Sequence, residues 1–446
     1  MITGERSVTT DYGTDPNERC NRVVRVTVRS FRARRRQGTH VRRVSSRQRI
    51  SDRRVVVGRN MKCVTRARGP VGTVCVLGGS VAGLLAARVL SDHAERVVVL
   101  ERDRPADGTR PRPSVPQGRH GHFLQPQTLP PVEQWFPGIT DDLLGLGALL
   151  ASPGHHELFV DGSPIDFPPV TMLMATRPLL ENELRRRVES LTNVEFLRAR
   201  VAGVAFADRA ARAVTYHPWE GDGFAEPRSV EADLVVDAMG RGSRLAKWLE
   251  EGGFPVPDTQ RETIDVHYTT ALFARARVPD VTCALDQFTP GSTRPLEHSH
   301  DGGPLSAVAA YAVEDDQWQV VAIGGPRRRK ISHQDIREIC AGLPKVFQEA
   351  TEGEAIGATE SFSYAQSTRR SLRDGVRFPG GLLDIGDCVA SFNPVHGQGV
   401  WSAVRQASLL ADHLTENADP LGTLDAFIAT RDKAIEEIWS SEEANT

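Results

Sequence analysis

A glycine-rich turn between two apolar segments is the first place in the sequence where a cofactor could bind. The apolar run at 74–77 is followed by GGSVAG, by a segment of small and apolar residues, and by a second apolar run that ends at Glu101. Strand, glycine turn, helix, strand and acid in this order, within about 30 residues, form the pattern of a dinucleotide-binding βαβ unit. We therefore predict a dinucleotide site over residues 71–101.

Each position of this turn has a physical role. Gly78 permits the tight turn, and Gly83 lets the helix pack closely on the strand. Ser80 stands where a glycine is usual, and it is small enough for a pyrophosphate to reach the helix N-terminus. Glu101, which lies 23 residues after Gly78 and precedes Arg102, can accept hydrogen bonds from ribose hydroxyls. A tight turn without a ligand is the structural alternative, and the pattern alone does not distinguish NAD from FAD.

Two further apolar segments end in a carboxylate and a glycine. DLVVDAMGRG at 233–242 contains Asp237 and Gly240, and GGLLDIGD at 380–387 ends at Asp387. Ligands of open α/β sheets lie at the carboxyl ends of the strands. One extended ligand that touches three strand ends would explain the set, and FAD is long enough to do so.

From about residue 72 to about residue 430, the chain resembles the flavoprotein monooxygenases of the para-hydroxybenzoate hydroxylase type. The resemblance rests on GGSVAG with the acid at 101, on DLVVDAMGRGSR, and on DIGDCVASFNPVHGQGV at 384–400. Within that group the chain is most similar to bacterial squalene-epoxidase-like enzymes, including the flavin epoxidases of polyether antibiotic pathways. This closer similarity is carried by VPQGRHGHFL at 115–124, RPLL at 177–180, DAMGRGSRL at 237–245 and FNPVHGQG at 392–399.

The resemblance implies roles at the end of the third strand. Asp387 would contact the ribityl or pyrophosphate part of FAD, and Pro394 would lie against the flavin edge. Gly397, Gln398 and Gly399 would direct backbone N–H groups at the N1–C2=O side of the flavin. A helix N-terminus there would stabilise the negative charge of reduced flavin.

Five other positions match cofactor contacts of this family. Arg177 would reach FAD from the start of a helix, and Arg119 would lie near its phosphate or flavin end. Val201 would touch the adenine through its backbone, and Asp237 with Gly240 would lie near the flavin. Each arginine has a structural alternative, as a residue at a surface helix start or as one that orders a loop. Asp237 could equally be a cap that contacts no ligand.

The implied fold is α/β, with a Rossmann-like FAD-binding domain of three layers (β, β and α), an antiparallel-sheet substrate domain and C-terminal helices. Alternating apolar and polar residues at 151–175 and 255–375 favour the antiparallel sheet. We therefore predict a basic tail at 1–70, a discontinuous FAD-binding domain at 71–180, 195–250 and 380–415, the substrate domain at 151–175 and 255–375, and a C-terminal helix at 416–446.

The resemblance implies a monooxygenase. FAD, reduced by NAD(P)H or by a partner flavin reductase, would react with O2 to form a C4a-hydroperoxide that transfers one oxygen atom to a small apolar or aromatic substrate. Alkene or polyene epoxidation in secondary metabolism, such as antibiotic biosynthesis, is the preferred reaction, because no acid–base pair is evident in the sequence. Seven histidines, at 120, 122, 155, 156, 267, 298 and 300, are candidates by residue type only, and we expect most of them in loops or on the surface.

Four alternative functions stay open. Aromatic hydroxylation is the main one, and a polyene reductase of the geranylgeranyl type is the second. A flavin-dependent halogenase is disfavoured, because it needs a lysine and no lysine lies between Lys62 and Lys247. A nucleic-acid binder that uses a basic arm is the fourth alternative.

Positive charge is concentrated in the N-terminal region. The net charge of the chain is −2, but residues 1–68 hold 18 Arg and one Lys against five acids. We expect this region to be a disordered tail or sequence upstream of a native start at Met61. The acidic remainder gives no reason to bind nucleic acid. Six scattered cysteines without metal-ligand spacing predict no metal site and fit a reduced, cytoplasmic protein, and no apolar run predicts a membrane span.

Overall fold

The computed structural model describes residues 71–104, 110–122, 124–166, 168–290, 292, 305–324, 331–372 and 375–443. The predicted basic tail at 1–70 lies outside the described residues. In the part of the chain that is described, no helix is both long enough and apolar enough to cross a membrane.

The described residues form nine α-helices and eighteen strands. The helices are α1 (Val81–Ser91), α2 (Leu129–Trp135), α3 (Ile139–Gly145), α4 (Arg177–Glu189), α5 (Leu245–Glu251), α6 (His333–Ala341), α7 (Lys345–Glu352), α8 (Gln398–Glu416) and α9 (Leu424–Glu443). The strands are β1 (Val71–Leu77), β2 (Ala94–Glu101), β3 (Leu149–Ala151), β4 (His156–Val160), β5 (Ser163–Ile165), β6 (Met172–Met174), β7 (Val194–Ala207), β8 (Ala210–Glu220), β9 (Gly223–Phe224), β10 (Arg228–Glu231), β11 (Leu234–Asp237), β12 (Asp258–Ala274), β13 (Cys283–Gln287), β14 (Leu305–Val313), β15 (Gln317–Gly324), β16 (Ala355–Ser371), β17 (Leu382–Asp384) and β18 (Ala390–Ser391).

The first sheet aligns the three strand ends that the sequence singled out. Its strand order is β10-β8-β7-β2-β1-β11-β17, with β9 paired to β8, and the five strands from β7 to β17 are parallel. Leu77 lies opposite Asp237, and Asp237 lies opposite Asp384. The ends of β1, β11 and β17 therefore finish side by side at one edge of the sheet.

This sheet is the middle of three layers, as the resemblance implied. Helices α1, α4 and α8 cover one face, where Leu84, Leu184 and Val404 join one buried cluster. On the other face, the antiparallel strands β8 and β10 and helix α5 pack around Ala211 and Trp248. Both faces of the parallel strands are buried, which explains their nearly continuous apolar sequence.

The second sheet has the order β18-β16-β12-β15-β14-β13-β4-β5, and its pairs are antiparallel except for β13 with β4. Helices α6 and α7 cover one face through Ile336 and Phe347. Tyr268 and Tyr311 lie in a separate cluster on the sheet. Most of the strand-like sequence predicted for the substrate domain lies here, while β3 and β6 form a separate two-stranded sheet. The domain boundaries stay a prediction.

Helix α9 is anchored to the end of β17 by a buried ion pair. The guanidinium of Arg431 donates to the backbone oxygen of Asp384 at 2.7 Å and also to its carboxylate. Both side chains are almost fully buried. Trp439 packs near Phe392, with ring centroids 6.1 Å apart. The C-terminal helix thus supports the strand end that leads to Asp387.

Substitution of Gly83 tests how closely the start of α1 packs against the turn before it. A Cβ atom there would lie 1.9 Å from the backbone oxygen of Gly78, so Gly83→Ala must displace the helix or the turn. We expect a loss of about 1 to 3 kcal/mol in the free energy of unfolding, measured by urea denaturation. Gly145→Ala is the matched control, because no atom lies within 4 Å of its added methyl group. Equal stability of the two variants would contradict the packing role of Gly83.

Candidate active site

A cavity of about 770 Å³ lies between the carboxyl ends of the first sheet and the second sheet. Its size is in the range of cofactor and small-molecule sites. Eleven of the fifteen predicted site residues line it: Gly78, Ser80, Glu101, Arg102, Arg177, Val201, Gly240, Asp387, Pro394, Gly397 and Gly399. The structure therefore brings most of the predicted set together, although their contacts with a cofactor stay a prediction.

Hydrogen bonds to two carboxylates hold the N-terminus of α1 in place. The N–H group of Gly79 donates to Oε2 of Glu101 at 2.8 Å. The hydroxyl of Ser80 donates to Oε2 of Glu181 at 2.7 Å and accepts a bond from Nη2 of Arg177 at 3.2 Å. Ser80 thus joins α4 to the start of α1, which adds to the small size that the sequence analysis considered.

Arg112 is a central residue that the sequence analysis missed. Its side chain is 5% exposed and lies between two carboxylates, with Nη1 at 2.9 Å from Glu101 and Nη2 at 2.5 Å from Glu181. Burial alone would lower the pKa of Arg112, but the charges of Glu181 and Glu101 outweigh it and raise the pKa. The cation therefore fixes the carboxylate of Glu101 at the end of β2.

The cavity wall carries more positive than negative charge. Two carboxylates, those of Glu101 and Asp387, face six arginines: Arg102, Arg112, Arg177, Arg200, Arg241 and Arg244. Guanidinium groups bind phosphate oxygens in paired hydrogen bonds. The wall is therefore suited to a ligand that carries a diphosphate.

Asp387 follows the end of β17 and faces the cavity without a hydrogen bond from the other described residues. Burial raises the pKa of its carboxyl group, and the charges of Arg177 and Arg241 act in the opposite direction. A carboxylate in this position is available to accept hydrogen bonds from ligand hydroxyls.

The turn before α8 brings a helix N-terminus to the same cavity. The amide of Gln125 donates to the backbone oxygen of His396 at 3.0 Å, and Asn393 accepts from the N–H of Val395 at 3.1 Å. Gly397 has φ +64°, a conformation that favours glycine, and α8 begins at the next residue. The positive end of this 19-residue helix can stabilise negative charge in the cavity.

Four predicted residues do not line the cavity. Gly83 packs beneath the turn of the fingerprint, and Gln398 is the first residue of α8. The guanidinium of Arg119 is 46% exposed and pairs with Glu360 at 2.9 Å. The buried carboxylate of Asp237 accepts bonds from the N–H of Met239 at 3.0 Å and from a serine hydroxyl. Asp237 is thus a cap for the turn after β11.

Two of the seven histidines, His120 and His122, lie in a loop, as expected for most of them, and they help to form the apolar end of the cavity. His120 is only 3% exposed, and its ring lies 4.6 Å from that of Tyr268, edge to face. Burial, with a smaller effect of Arg119, lowers the pKa of His120 to about 4. Burial and the charge of Arg177 lower the pKa of His122 to about 3, so both rings are neutral near pH 7.

The rest of this end is uncharged. The second sheet supplies three aromatic and two aliphatic side chains: Tyr268, Tyr311, Phe362, Val321 and Ile323. Their apolar surfaces favour an uncharged molecule of similar polarity. One cavity therefore has a charged end on the first sheet and an apolar end on the second.

The fold and this cavity define the class of FAD-dependent oxidoreductases. The chain belongs to the FAD binding domain family, which matches residues 72–439. The glycine-rich turn fits this family, because a Cβ atom at Gly78 would lie 2.6 Å from the backbone oxygen of Ala238. The turn can therefore pack against the end of β11 only with a glycine at this position.

Two relatives match across most of the chain. Protein Rv3254 of Mycobacterium tuberculosis is 33% identical over 370 residues, which cover 78% of this chain and 73% of that protein. Geranylgeranyl diphosphate reductase of Synechocystis is 22% identical over 351 residues, which cover 78% of this chain and 76% of the reductase.

Two solved structures share the fold. PqsL of Pseudomonas aeruginosa, described as "a probable FAD-dependent monooxygenase", has a TM-score of 0.57 and 19% identity, with 82% of this chain and 92% of PqsL covered. The myxobacterial chondrochloren halogenase CndH has a TM-score of 0.60 and 17% identity, with 84% and 82% covered. The predicted membership in the wider flavoprotein group is confirmed, whereas the closer similarity to squalene epoxidases stays a prediction.

Asp237 generates a prediction about pH. Burial raises the pKa of its carboxyl group to about 6, against about 3.9 for an unfolded aspartate. The folded state binds this proton more tightly than the unfolded state does. Ionisation of Asp237 therefore destabilises the fold, by nothing below about pH 4 and by its full amount above about pH 6. As the pH rises from 4 to 7, we expect the free energy of unfolding of Asp237→Asn to gain about 3 kcal/mol relative to wild type.

Urea unfolding at a series of pH values measures this gain. The exposed Asp141→Asn variant on α3 is the control. Parallel stability profiles of wild type and Asp237→Asn would show that the buried carboxyl does not titrate as described.

Proposed function

We propose that the protein is a monooxygenase that uses FAD and O2 to insert one oxygen atom into an apolar organic substrate, with epoxidation of an alkene as the preferred reaction. The observation that carries the proposal is the division of one cavity into a charged end, at three strand ends, and a neutral aromatic end. A redox cofactor and an apolar substrate would meet between them.

The charged end has a residue for each part of FAD. Glu101, fixed by Arg112, would accept bonds from the adenosine ribose, and Val201 lies on the strand next to β2. The N-terminus of α1 and the guanidinium of Arg177 would hold the pyrophosphate. Asp387 would accept bonds from the ribityl hydroxyls. Bound FAD would supply the redox chemistry that activates O2.

The residues of the chain would contribute position, charge and exclusion of water. Pro394 and the N-terminus of α8 would lie beside the flavin, where the helix dipole stabilises negative charge. Tyr268 and Tyr311 have buried phenols, and burial raises the pKa of both above the usual range. The apolar end therefore carries no charge that would draw water to a reactive oxygen species.

Two other reactions are compatible with the same cavity. Aromatic hydroxylation would use the aromatic wall in the same way, so only the substrate distinguishes it from epoxidation. Reduction of a polyene is supported by the similarity to geranylgeranyl diphosphate reductase. Halogenation is disfavoured, because none of the described residues that line the cavity is a lysine. NADH, NADPH or a flavin reductase would supply the electrons.

Oxygen consumption tests the proposal. The purified protein, reconstituted with FAD, should show a flavin absorption spectrum and consume O2 when supplied with NADH, NADPH or a flavin reductase. A polyene and a phenol should be compared as substrates, and the products analysed for an added oxygen atom. Reduction of the polyene without O2 uptake would favour the reductase, and failure to bind FAD would refute both proposals.

Asp387→Ala tests the cofactor site directly. The variant removes a carboxylate whose hydrogen bonds to ligand hydroxyls we expect to contribute about 1.5 to 3 kcal/mol. The dissociation constant of FAD should therefore rise about 10- to 150-fold, measured by flavin fluorescence. Asp141→Ala, at an exposed site on α3, is the control. Unchanged affinity for FAD would contradict the role of Asp387.

A further inference from the structure

We propose that Nε2 of His122 accepts a hydrogen bond from the substrate, and that it selects apolar molecules that carry one hydroxyl or N–H group. This inference rests on the proposed function, because it concerns the apolar end of the same cavity. His122 would then be a residue that determines specificity and positions the substrate.

The hydrogen bond of the other ring nitrogen fixes the tautomer. Nδ1 of His122 lies 2.8 Å from the backbone oxygen of His120. A carbonyl oxygen can only accept, so Nδ1 carries the proton. In a neutral imidazole Nε2 then has a free lone pair and acts as an acceptor.

The surroundings keep the ring neutral. Burial and the nearby cation of Arg177 both oppose protonation, as the low pKa of His122 reflects. Among the described residues, none donates a hydrogen bond to Nε2, while the ring lines the cavity wall. Nε2 is therefore available to accept a hydrogen bond from a donor on a molecule in the cavity.

The loop that carries His122 belongs to the apolar end. A Cβ atom at Gly121 would lie 2.7 Å from both the Tyr311 ring and Val321, so the backbone is pressed against β14 and β15. The ring of His120 packs on Tyr268, and its Nδ1 lies 2.9 Å from the hydroxyl of Thr270. This bond ties the ring of His120 to the second sheet, and His122, two residues further on, also lines the cavity.

The wall defines the substrate class by its chemistry. Uncharged aromatic and aliphatic side chains would contact the body of the substrate, and Nε2 of His122 would contact its donor group. A methyl ether, which lacks the donor, would leave Nε2 unpaired and bind less tightly.

Matched ligand pairs test this inference without turnover. The FAD-reconstituted protein is titrated with 2-naphthol and 2-methoxynaphthalene, and with geraniol and its methyl ether, while the flavin absorption spectrum reports binding. We expect the hydroxyl member of at least one pair to bind about tenfold more tightly to wild type. In His122→Phe and in the smaller His122→Leu that preference should fall to about onefold.

Two further variants serve as references. His122→Gln retains an acceptor oxygen and should keep part of the preference, and His155→Gln, at an exposed histidine, should keep all of it. FAD occupancy is measured on every variant by its absorption spectrum. An unchanged preference in both His122→Phe and His122→Leu, or none in wild type, would overturn the inference.

Measurement of FAD binding distinguishes failure of this inference from failure of the proposed function. If wild type binds FAD and consumes O2 but shows no preference for the hydroxyl member of either pair, only the role of His122 is refuted. If the His122 variants lose FAD instead, the ring contacts the cofactor and the inference is wrong. Failure of wild type to bind FAD refutes the proposed function itself.

Discussion

Close approach of main-chain atoms at the strand ends is the constraint on which the site depends. A Cβ atom at Gly83 or Gly78 would collide with backbone oxygens, and one at Gly386 would lie 2.6 Å from the Cβ of Ala82. The ends of three strands and the start of one helix can converge only because these positions lack side chains. That convergence brings the first residues of α1 to the wall of the cavity.

Charge is distributed unevenly around these strand ends, and burial strengthens the interactions between the charges. Arg112 lies between Glu101 and Glu181, where the low dielectric strengthens the attraction and each partner compensates the desolvation of the other. The same network reaches Ser80 and Arg177 through Glu181. The second sheet contributes no charge to the cavity wall, so a ligand with one ionic end and one apolar end finds a matching surface in each half.

The sequence predicts those features that a short segment encodes by itself. The fingerprint at Gly78 and the carboxylate of Asp387 are found because glycine spacing and strand ends are local patterns. Arg112 is missed because its partner Glu181 lies 69 residues away, so only the folded chain shows that they meet. His120 likewise meets Thr270 across 150 residues. The cap formed by Asp237 uses a partner six residues away, but pattern alone does not distinguish a cap from a ligand contact.

The ion pair between Arg431 and Asp384 joins residues 47 positions apart in the chain. During synthesis, β1, β11 and β17 all leave the ribosome before the arginine that anchors the last of them. Domains tend to fold as their chain emerges, yet the end of β17 gains its buried counter-charge only when α9 has been made. The strand end that leads to Asp387 is therefore completed only after α9 has been translated, because the counter-charge of Asp384 lies on that helix.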